Sequence, residues 1–458
     1  MSSQPETDEQ PWEMLNELAE AGEAESLEKF LDTLPPGEQA HSLSRLSEDQ
    51  QCQVFETLRP DDAADLLSRL PDAQAVGLIQ HLPPETAARI VEEMPSDEQA
   101  DLIGGLEEEQ AEAILDRMDP LEAAAARSLV RYEDDTAGGL MITEFLQFSE
   151  TATAGQVIDD LAAGAETYRD FDVQYAYICD RLGRLTGVLR LRDLLLAGRS
   201  RPVREIMIHE PLSVPHDTSL DDLVELLDQH HFLGVPVTDH SGRFLGVVRR
   251  TAVDEAWGAR HEADYMKSQG IPSGEELRSM PLAVRARGRL AWLSVNIVLN
   301  IGAASVIANF QDTLSSVLAL TVFLPMISDM SGCSGNQAVA VSMRELSLGL
   351  VVPSETMRVW LKEVSLGLIN GSVLGTLVGV GGWLWQDNFY LGLVVGAALA
   401  MNTIVAVSLG GIVPLLLRRF GFDPAVASGP LLTTVTDMCG FSLVFGLATL
   451  FLAQLTGS

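Results

Sequence analysis

The chain has 458 residues, of which 47% are hydrophobic, and a formal net charge of −35 at pH 7. Residues 290–458 carry five basic and eight acidic side chains, a net charge of −3, which leaves −32 for the part before residue 290. A balance this acidic argues against a nucleic-acid partner, because binding to phosphates depends on Lys and Arg. We expect an acidic soluble half followed by a membrane half.

The first 30 residues are acidic and contain no apolar core of the kind that a cleavable signal peptide needs. The four cysteines, Cys52, Cys179, Cys333 and Cys439, are scattered without the pairing of a disulfide framework or a zinc site. We therefore expect a reducing compartment. The soluble half also lacks a nucleophile–base set and a phosphate-binding loop, so we do not expect an enzyme.

A short repeat recurs at every twelfth position, from LPP at residue 34 to MDP at residue 118. Proline is tolerated in a first helical turn, and acidic residues there suit the helix dipole. Each unit is therefore predicted to be a helix of about two turns, which is too short to be stable alone. The units are expected to stack as an all-α superhelical array. A solvated surface is the simpler explanation of its many acids, and ion binding is the alternative.

Two related segments, DRLGRLTGVLRLRDLL at residues 180–195 and DHSGRFLGVVRRTAVD at residues 239–254, align position for position, with Asp180 opposite Asp239. Each is predicted to form a strand, a turn at GR, a second strand and the start of a helix. This duplication of a small α/β module resembles a pair of CBS domains.

CBS pairs often bind adenine nucleotides through a Ser or Thr and then an Asp after the second strand. The first module has Arg190 and Asp193 at these positions, and the second has Arg249 and Ala252. Both hydroxyls and one carboxylate are missing, which makes nucleotide binding doubtful and leaves Asp193 as the one candidate contact. Residues 257–283 then form a polar, helix-prone connection that is interrupted at residues 270–272. A passive connector and a coupling element both remain open for it.

Five apolar segments of spanning length follow, at residues 290–310, 314–341, 364–385, 389–417 and 426–452. Basic residues that flank spans stay on the cytoplasmic side. With five spans, all eight flanking basic residues fall on one face: Arg285, Arg287, Arg289, Arg344, Arg358, Lys362, Arg418 and Arg419. The amino-terminal half is therefore expected to be cytoplasmic and the carboxyl terminus outside.

The third span contains Gly367, Gly371, Gly375 and Gly379, each at every fourth position. This spacing lines one helix face with glycine and lets a second helix approach closely. We predict a packing seam.

The second span contains LPMISDMSGCSGNQ at residues 324–337, in which polar side chains crowd together and Pro325, Gly332 and Gly335 are expected to loosen the helix. Broken backbone at membrane depth is tolerated only where it is buried in protein or faces water, and it can turn carbonyl oxygens toward an ion. The fifth span carries Asp437, although a charge at a span centre costs roughly 2.5–3.5 kcal/mol. No Lys, Arg or His lies within any predicted span, so we expect a path for cations.

Hard oxygen ligands favour Mg²⁺, Ca²⁺ or Mn²⁺, and Mg²⁺ is usually held by one or two carboxylates plus water. The candidate pore residues are Asp437, Asp329, Ser331, Gly332, Gly335, Asn336 and Thr434. The alternative for the two aspartates is a protonated carboxyl that is hydrogen-bonded to a neighbouring helix. Cys333 and Cys439 are expected to be packing residues, and they keep a cobalt or zinc preference open.

The order of the parts is specific: repeats, YEDDTAGGLM at residues 132–141, a CBS pair, a linker helix and five spans with GNQ in the second and a lone Asp in the fifth. Together they resemble the MgtE family of magnesium channels over nearly the whole chain. The resemblance implies a homodimer with a pore on its two-fold axis, lined by the second and fifth spans, in which Asp437 recognises hydrated Mg²⁺. It also implies that the linker from Trp257 is a plug helix that closes the pore when cytosolic Mg²⁺ is high.

Two departures from the family pattern stand out. Cys333 replaces an Asn that is usual beside GNQ, and Thr251 and Ala252 stand where acids commonly begin the Mg²⁺-sensing cluster. The second departure leaves the place of sensing open. The candidate regulatory metal ligands are Asp221, Asp228, Asp254, Glu255, Glu262 and Asp264.

The predicted fold is a multidomain membrane protein with an all-α superhelical N-terminal domain, an α/β CBS-domain pair, a plug helix and a five-helix α transmembrane domain. The predicted boundaries are 1–130 for the repeats, 131–199 and 200–256 for the CBS domains, 257–285 for the connecting helix and 286–458 for the membrane domain.

The predicted function is a Mg²⁺ channel or transporter that imports Mg²⁺ through the cell inner membrane and is closed by cytosolic Mg²⁺ acting on the acidic domains. One alternative is an ion-coupled secondary transporter of divalent cations such as Co²⁺ or Mg²⁺, with Asp437 as its coupling site. A CBS-bearing anion channel is a third class, and the lack of basic residues within the spans argues against it.

Overall fold

The computed structural model of the chain describes residues 10–165, 168, 171, 174–271, 274, 276–278, 280–347 and 349–456, and the side chains of all of these except residues 353 and 425–431. The chain divides into two compact units, Met1–Arg260 and His261–Ser458. The first unit contains the helical repeats and two β-sheets, and the second contains the long apolar helices.

The described part of the chain before Val130 forms short helices. They are α1 (Pro11–Ala21), α2 (Ala24–Thr33), α3 (Pro36–Leu43), α4 (Glu48–Thr57), α5 (Pro60–Leu67), α6 (Asp72–Ile79), α7 (Pro84–Glu92), α8 (Ser96–Gly104), α9 (Glu108–Leu115) and α10 (Pro120–Leu129). From α3 onward a helix begins at every twelfth position, which confirms the predicted repeat. Proline opens α3, α5, α7 and α10 at a position whose N–H has no helical partner.

The repeats pack together because the same helix position is apolar in each unit. Every twelfth residue from 31 to 115 is buried in one hydrophobic core: Leu31, Leu43, Phe55, Leu67, Ile79, Val91, Ile103 and Leu115. Each short helix is therefore stabilised by its neighbours, as is usual in repeat arrays.

The rest of the first unit is built from two four-stranded sheets and their helices. The elements are β1 (Met141–Ile142), β2 (Leu146–Ser149), α11 (Ala154–Ala163), β3 (Tyr175–Cys179), β4 (Leu185–Arg190), α12 (Leu191–Leu196), a 3₁₀ turn (Val203–Glu205), β5 (Ile208–His209), β6 (Val214–Pro215), α13 (Leu220–Gln229), β7 (Gly234–Thr238), β8 (Phe244–Arg249) and α14 (Arg250–Ser268). The predicted strand–turn–strand units are the hairpins β3–β4 and β7–β8. Their turns place Gly183 at φ +76° and Gly242 at φ +81°, a conformation that suits glycine.

The two sheets exchange their short outer strands. The first sheet has the order β2-β3-β4-β5 and the second the order β1-β8-β7-β6. Strand β1 comes before the strands of the first sheet in sequence but pairs with β8 of the second sheet. Strand β5 comes before β6 of the second sheet but pairs with β4 of the first sheet. The predicted segments 131–199 and 200–256 thus fold as an interlocked pair, in which each segment completes the other's sheet.

The predicted connecting segment begins in the middle of a helix. Helix α14 starts at Arg250, inside the predicted second CBS segment, and runs without interruption past Trp257 to Ser268. Gly270 follows with φ +87°, so the helix ends close to the predicted interruption. Pro272 lies outside the described residues.

The second unit consists of long helices joined by short turns. They are α15 (Leu282–Asn309), α16 (Gln311–Ser316), a 3₁₀ turn (Leu318–Val322), α17 (Leu324–Ser347), a second 3₁₀ turn (Pro353–Glu355), α18 (Thr356–Gln386), α19 (Phe389–Arg419), α20 (Pro424–Leu450) and α21 (Leu452–Thr456). Among the described residues, five segments are long and apolar enough to cross a membrane: Leu282–Asn309, Leu318–Ser347, Thr356–Gln386, Phe389–Arg419 and Leu432–Leu450. They coincide with the five predicted spans.

The prediction of a loosened second span is wrong. Helix α17 is unbroken from Leu324 to Ser347, through both Gly332 and Gly335. Pro325 does not interrupt it, because a proline in the first turn removes only an N–H that has no helical partner. The irregular backbone lies earlier, in the 3₁₀ turn Leu318–Val322.

The glycine row of the third span packs against α19, as predicted. A Cβ atom added at Gly371 would lie 2.6 Å from the carbonyl oxygen of Ala400, and one added at Gly375 would lie 2.5 Å from that of Gly396. The approach is mutual, because a Cβ atom at Gly396 would lie 2.5 Å from the carbonyl oxygen of Gly375. Only glycine permits two helices to pack this closely.

We predict that Gly375→Ala lowers the free energy of unfolding of the membrane domain by about 1–3 kcal/mol, because the added methyl group forces α18 and α19 apart. Gly381→Ala is the matched control, since a Cβ atom there meets nothing within 4 Å. The control should be neutral or should stabilise the helix by up to about 1 kcal/mol. Unfolding of both variants in mixed micelles with increasing denaturing detergent measures the difference, and equal effects would show that the seam is not tightly packed.

Candidate functional site

Asp437 lies on α20 with its side chain buried against α17. Asp437 is 9% exposed, and the hydroxyl of Ser328 donates a hydrogen bond to its Oδ1 atom at 2.5 Å. A buried carboxylate is costly unless it is paired, and one charge-assisted hydrogen bond offsets only part of the cost. Its Oδ2 atom accepts no hydrogen bond from the described residues, so it is available to a further ligand.

Asn402 on α19 contacts the same helix. Its Nδ2 atom donates to the hydroxyl of Ser331 at 2.6 Å, and that hydroxyl donates to the carbonyl oxygen of Ile327 at 2.5 Å. The Oδ1 atom of Asn402 is buried and has no hydrogen-bond partner in the described part of the chain. Gly440 on α20 makes room for this amide, since a Cβ atom there would lie 2.6 Å from Nδ2.

Asp437 and Asn402 meet α17 at neighbouring positions. Their partners Ser328 and Ser331 are three residues apart, which places both hydroxyls on one face of the helix. Thr434 is 6% exposed and lies three residues before Asp437 on α20. The described side chains of this cluster are oxygen-rich and include no basic group, a composition that suits a hard divalent cation.

The structure separates the predicted pore residues into two groups. Ser331 and Gly335 are buried between helices, whereas Asp329 and Asn336 lie on the exposed outward face of α17. Gly332 has little exposed surface, but a Cβ atom added there would meet nothing within 4 Å, so it does not pack against a neighbouring helix. A Cβ atom at Gly335 would lie 2.9 Å from the side chain of Leu432 and 3.2 Å from the carbonyl oxygen of Ala406. Close helix packing therefore accounts for Gly335 in this chain.

Ser328 and Asn402 belong to the polar side chains of the second and fourth spans, but they are not among the candidate pore residues predicted to bind the ion. The sequence signal for these two residues was a polar side chain, a hydroxyl or an amide, within an apolar span. Their partners are 109 and 71 residues away in sequence, so no local pattern identifies the pairs.

Three family models match the chain. A divalent cation transporter model, MgtE, matches residues 324–447, an MgtE intracellular N domain model matches residues 34–135, and a CBS domain model matches residues 203–257. The magnesium transporter MgtE of Enterococcus faecalis is 33% identical over 334 residues, which cover 72% of each chain. That of Thermus thermophilus is 34% identical over 340 residues, which cover 73% of this chain and 74% of the relative.

The chain belongs to the MgtE family of magnesium transporters.

Two solved structures are similar to part of this MgtE-family chain. The soluble part of a magnesium transporter matches with a TM-score of 0.49 and 25% identity, over 55% of this chain and 98% of that one. The cytosolic domain of the Mg²⁺ channel MgtE in complex with ATP matches with a TM-score of 0.48 and 31% identity, over 53% of this chain and 98% of that one.

The candidate regulatory acids lie on two helices of the MgtE-family chain. Those on α13 are Asp221 and Asp228, and those on α14 are Asp254, Glu255, Glu262 and Asp264. Arg260 lies 3.8 Å from Asp221, and Lys267 lies 4.0 Å from Asp264. Within the described ranges, no three of these six acids are close enough to hold one metal ion together, so their role stays a prediction.

The position often used for nucleotides holds an arginine that joins two domains. Arg249, at the end of β8, pairs with Asp97 of α8 at 3.0 Å, and the side chain of Asp97 is only 11% exposed. In the first module, Asp193 lies in the first turn of α12, 3.6 Å from Arg192. A nucleotide contact at Asp193 stays a prediction.

Acidic side chains crowd around α8 at the same junction. The side chain of Asp101 reaches solvent, but the surrounding protein restricts its hydration. This desolvation is the main cause that raises the pKa of its carboxyl to about 7, and the negative charges of Asp134 and Asp97 are the next causes. Burial, and then the charges of Asp97 and Glu255, raise the pKa of Glu98. The junction therefore concentrates negative charge at neutral pH.

We predict that Asp101 lowers the stability of the first unit as pH rises. Its folded pKa of about 7 exceeds the ordinary value of 3.8, so between these values the folded state holds a proton that the unfolded state has lost, and stability falls with rising pH. Asp101→Asn should raise the melting temperature at pH 8 more than at pH 5, whereas Asp32→Asn on the exposed surface of α2 should not. Equal shifts for Asp101→Asn at both pH values would contradict the prediction; differential scanning fluorimetry of the full-length protein measures them.

Proposed function

We propose that this chain is a Mg²⁺-selective channel that imports Mg²⁺ into the cytoplasm across the cell inner membrane. The observation that carries the proposal is the buried carboxylate of Asp437, which one hydroxyl holds among three helices of a magnesium transporter. Mg²⁺ keeps several of its waters and needs only one or two carboxylates. Asp437 fits this way of binding, and further oxygens are offered by Thr434, one turn earlier on α20, and by Asn402, whose partner Ser331 lies one turn from Ser328.

Oxygen ligands also support selectivity for Mg²⁺ over softer metals. Cys439 lies two residues after Asp437, and Cys333 lies on the outward face of α17. Thiolates favour Zn²⁺ and related metals, whereas carboxylate, amide and hydroxyl oxygens favour Mg²⁺. Because the oxygens left for an ion at this site are the carboxylate of Asp437 and the amide oxygen of Asn402, we expect transport of Mg²⁺ to exceed that of Co²⁺.

We further propose that two copies assemble around the outward face of α17. Asp329 and Asn336 are seven residues apart, or two helical turns, and both are exposed. A carboxylate that faces lipid costs roughly 2.5–3.5 kcal/mol, which a homodimer avoids by enclosing it in protein and water. In that arrangement Asp329 joins Asp437 along the ion path.

The basic residues at the ends of the membrane helices support an orientation with the first unit in the cytoplasm. Arg285 and Arg289 lie at the start of α15, and Arg418 and Arg419 lie at the end of α19. Positive residues near span ends stay on the cytoplasmic side, so the carboxyl terminus lies outside.

The charge of the proposed cytoplasmic part supports closure of the channel by cytosolic Mg²⁺. The net charge of −32 before residue 290 opposes a compact arrangement, and Glu98 and Glu255 are one repelling pair between α8 and α14. A divalent cation between such carboxylates favours the compact state. A shift from 1:99 to 99:1 takes about 5.5 kcal/mol of differential binding, which several weak sites can supply together.

The connection after α14 is tied to the first span, which supports a coupling role over a passive one. Glu276 accepts hydrogen bonds from Arg285 at 2.9 Å and from Arg289 at 2.6 Å. These bonds lower the pKa of the Glu276 carboxyl, with Arg289 as the larger cause. Gly270 lies against Trp292 of α15. A Cβ atom added at Gly270 would come within 2.2 Å of the indole nitrogen of Trp292. Movement of the connection therefore acts on α15.

We predict that Asp437→Ala lowers Mg²⁺ uptake into proteoliposomes by at least about tenfold, because losing a charged ligand costs at least about 1.5 kcal/mol. Asp437→Glu should retain part of the uptake. Asp312→Asn, which removes an exposed acid on α16, is the matched control and should conduct normally. Normal uptake by the Ala variant would exclude Asp437 as the ion-binding residue.

The same proteoliposomes separate a channel from an ion-coupled transporter. A channel gives a reversal potential that follows the Mg²⁺ gradient alone, whereas coupling to protons or sodium displaces it when those gradients are imposed. A displaced reversal potential would favour the transporter, with Asp437 as its coupling site.

We predict that Arg249→Gln and Asp97→Asn each raise the internal Mg²⁺ concentration needed for half-closure, because each breaks the pair that holds α8 to the second CBS module. The double variant should shift no further than the larger single shift, since paired residues are not additive. Arg59→Gln is the control, because Arg59 pairs with Asp62 within the repeats. These substitutions are preferable to deleting residues 1–130, since Ala100 and Leu129 belong to the core of the second CBS module. If both single variants closed by half at the same internal Mg²⁺ concentration as the unaltered protein, the pair would have no part in gating.

A further inference from the structure

Three potential metal ligands lie together at one edge of the second sheet. His216 and Asp217 follow β6, and His240 lies in the turn that follows β7. These strands are parallel neighbours in which Pro215 lies opposite Thr238, so their carboxyl ends meet at the same edge. The cluster shares no residue with the six acids on α13 and α14 or with the membrane site.

The spacing of the three side chains is close to that of a tetrahedral metal site. One ligand atom from each lies within 4.8 Å of the others, and Nε2 of His240 is 3.6 Å from Oδ2 of Asp217. Two ligands bound at about 2.0–2.1 Å to zinc in tetrahedral geometry are about 3.4 Å apart. His240 and Asp217 have side chains that are 70% and 60% exposed, so rotation about their side-chain bonds can close the remaining gap.

His216 is the least mobile of the three. Its backbone N–H donates to the carbonyl oxygen of Thr238 at 3.1 Å, and its own carbonyl oxygen accepts from the N–H of Gly138 at 2.7 Å. Its ring packs against Tyr132, with 5.3 Å between ring centroids. Nδ1 of His216 is buried and has no hydrogen-bond partner among the described residues.

The turn that carries His240 is held by Asp239. Its Oδ1 atom accepts hydrogen bonds from the hydroxyl of Ser241 at 2.6 Å and from the N–H groups of Ser241 and Arg243, both at 2.8 Å. The backbone at His240 is therefore set before any ligand binds, and only the side chain must adjust.

We propose that His216, Asp217 and His240 form a binding site for a late first-row divalent metal ion of the Zn²⁺ class, with water in the fourth position. Imidazole nitrogen binds such ions far better than Mg²⁺, which prefers oxygen ligands. Two histidines and one carboxylate are also a common set for zinc sites that keep an open position. The site thus responds to a different class of metal from the one transported.

The test is Zn²⁺ titration of the purified full-length protein by isothermal calorimetry, with excess Mg²⁺ present to occupy oxygen sites. His240→Ala and Asp217→Asn, which change exposed side chains, should each weaken one Zn²⁺ event by at least about tenfold, since even outer-shell partners of a metal contribute that much. His231→Ala, which removes another exposed histidine outside the cluster, should bind as the unaltered protein does. The cysteines are present in the unaltered protein and in all three variants, so any Zn²⁺ binding by cysteine is the same in each and does not affect the comparison.

The melting temperature gives a second measurement. Zn²⁺ should raise it in the unaltered protein and in His231→Ala, because a ligand that binds the folded state stabilises it. The rise should be lost in His240→Ala and in Asp217→Asn, whose melting temperatures without Zn²⁺ should match that of the unaltered protein. Unchanged Zn²⁺ affinity and stoichiometry in both variants would overturn the proposal.

Discussion

The cost of holding a carboxylate among apolar helices is the constraint on which the membrane unit depends. Asp437 is tolerated because Ser328 supplies a donor. Glycines allow the three helices α17, α19 and α20 to pack closely in the same region. A Cβ atom at Gly410 would lie 2.3 Å from the carbonyl oxygen of Gly335, so α17 and α19 are in backbone contact beside the site. Within the described part of the membrane unit, the buried Oδ1 atom of Asn402 has no hydrogen-bond partner, and the proposed cation site would use this oxygen together with the carboxylate.

The cost of unpaired carboxylates also applies to the first unit, Met1–Arg260. There the carboxylates are numerous and only partly paired, so the folded state carries repulsion that a cation can relieve. Arg249 replaces a residue that often contacts nucleotides and instead neutralises Asp97 at the junction of the repeats and the second CBS module. In the proposed gating, the binding of metal changes the conformation because it relieves this repulsion.

The repeat, the five spans and the glycine seam could be predicted from sequence because each depends on local periodicity. A buried row at every twelfth position and a glycine at every fourth are readable without knowing their partners. The course of α17 could not be predicted from its proline and glycines, because a proline in the first turn and glycines within a packed helix leave the hydrogen-bond ladder intact. The pairs Ser328–Asp437 and Asp97–Arg249, and the cluster at His216, join residues from different elements, and only the tertiary fold brings them together.

The central claim is that a hydrated divalent cation binds at Asp437, and diffraction with Mn²⁺ tests it most directly. Mn²⁺ shares the preference of Mg²⁺ for oxygen ligands and is located by its anomalous scattering. Crystals of the conducting protein grown with Mn²⁺ should show an anomalous peak within about 5 Å of the Asp437 carboxylate, the distance expected with one water between metal and oxygen. The peak should be absent in Asp437→Ala. Peaks elsewhere along the membrane helices, with none near Asp437, would contradict the account.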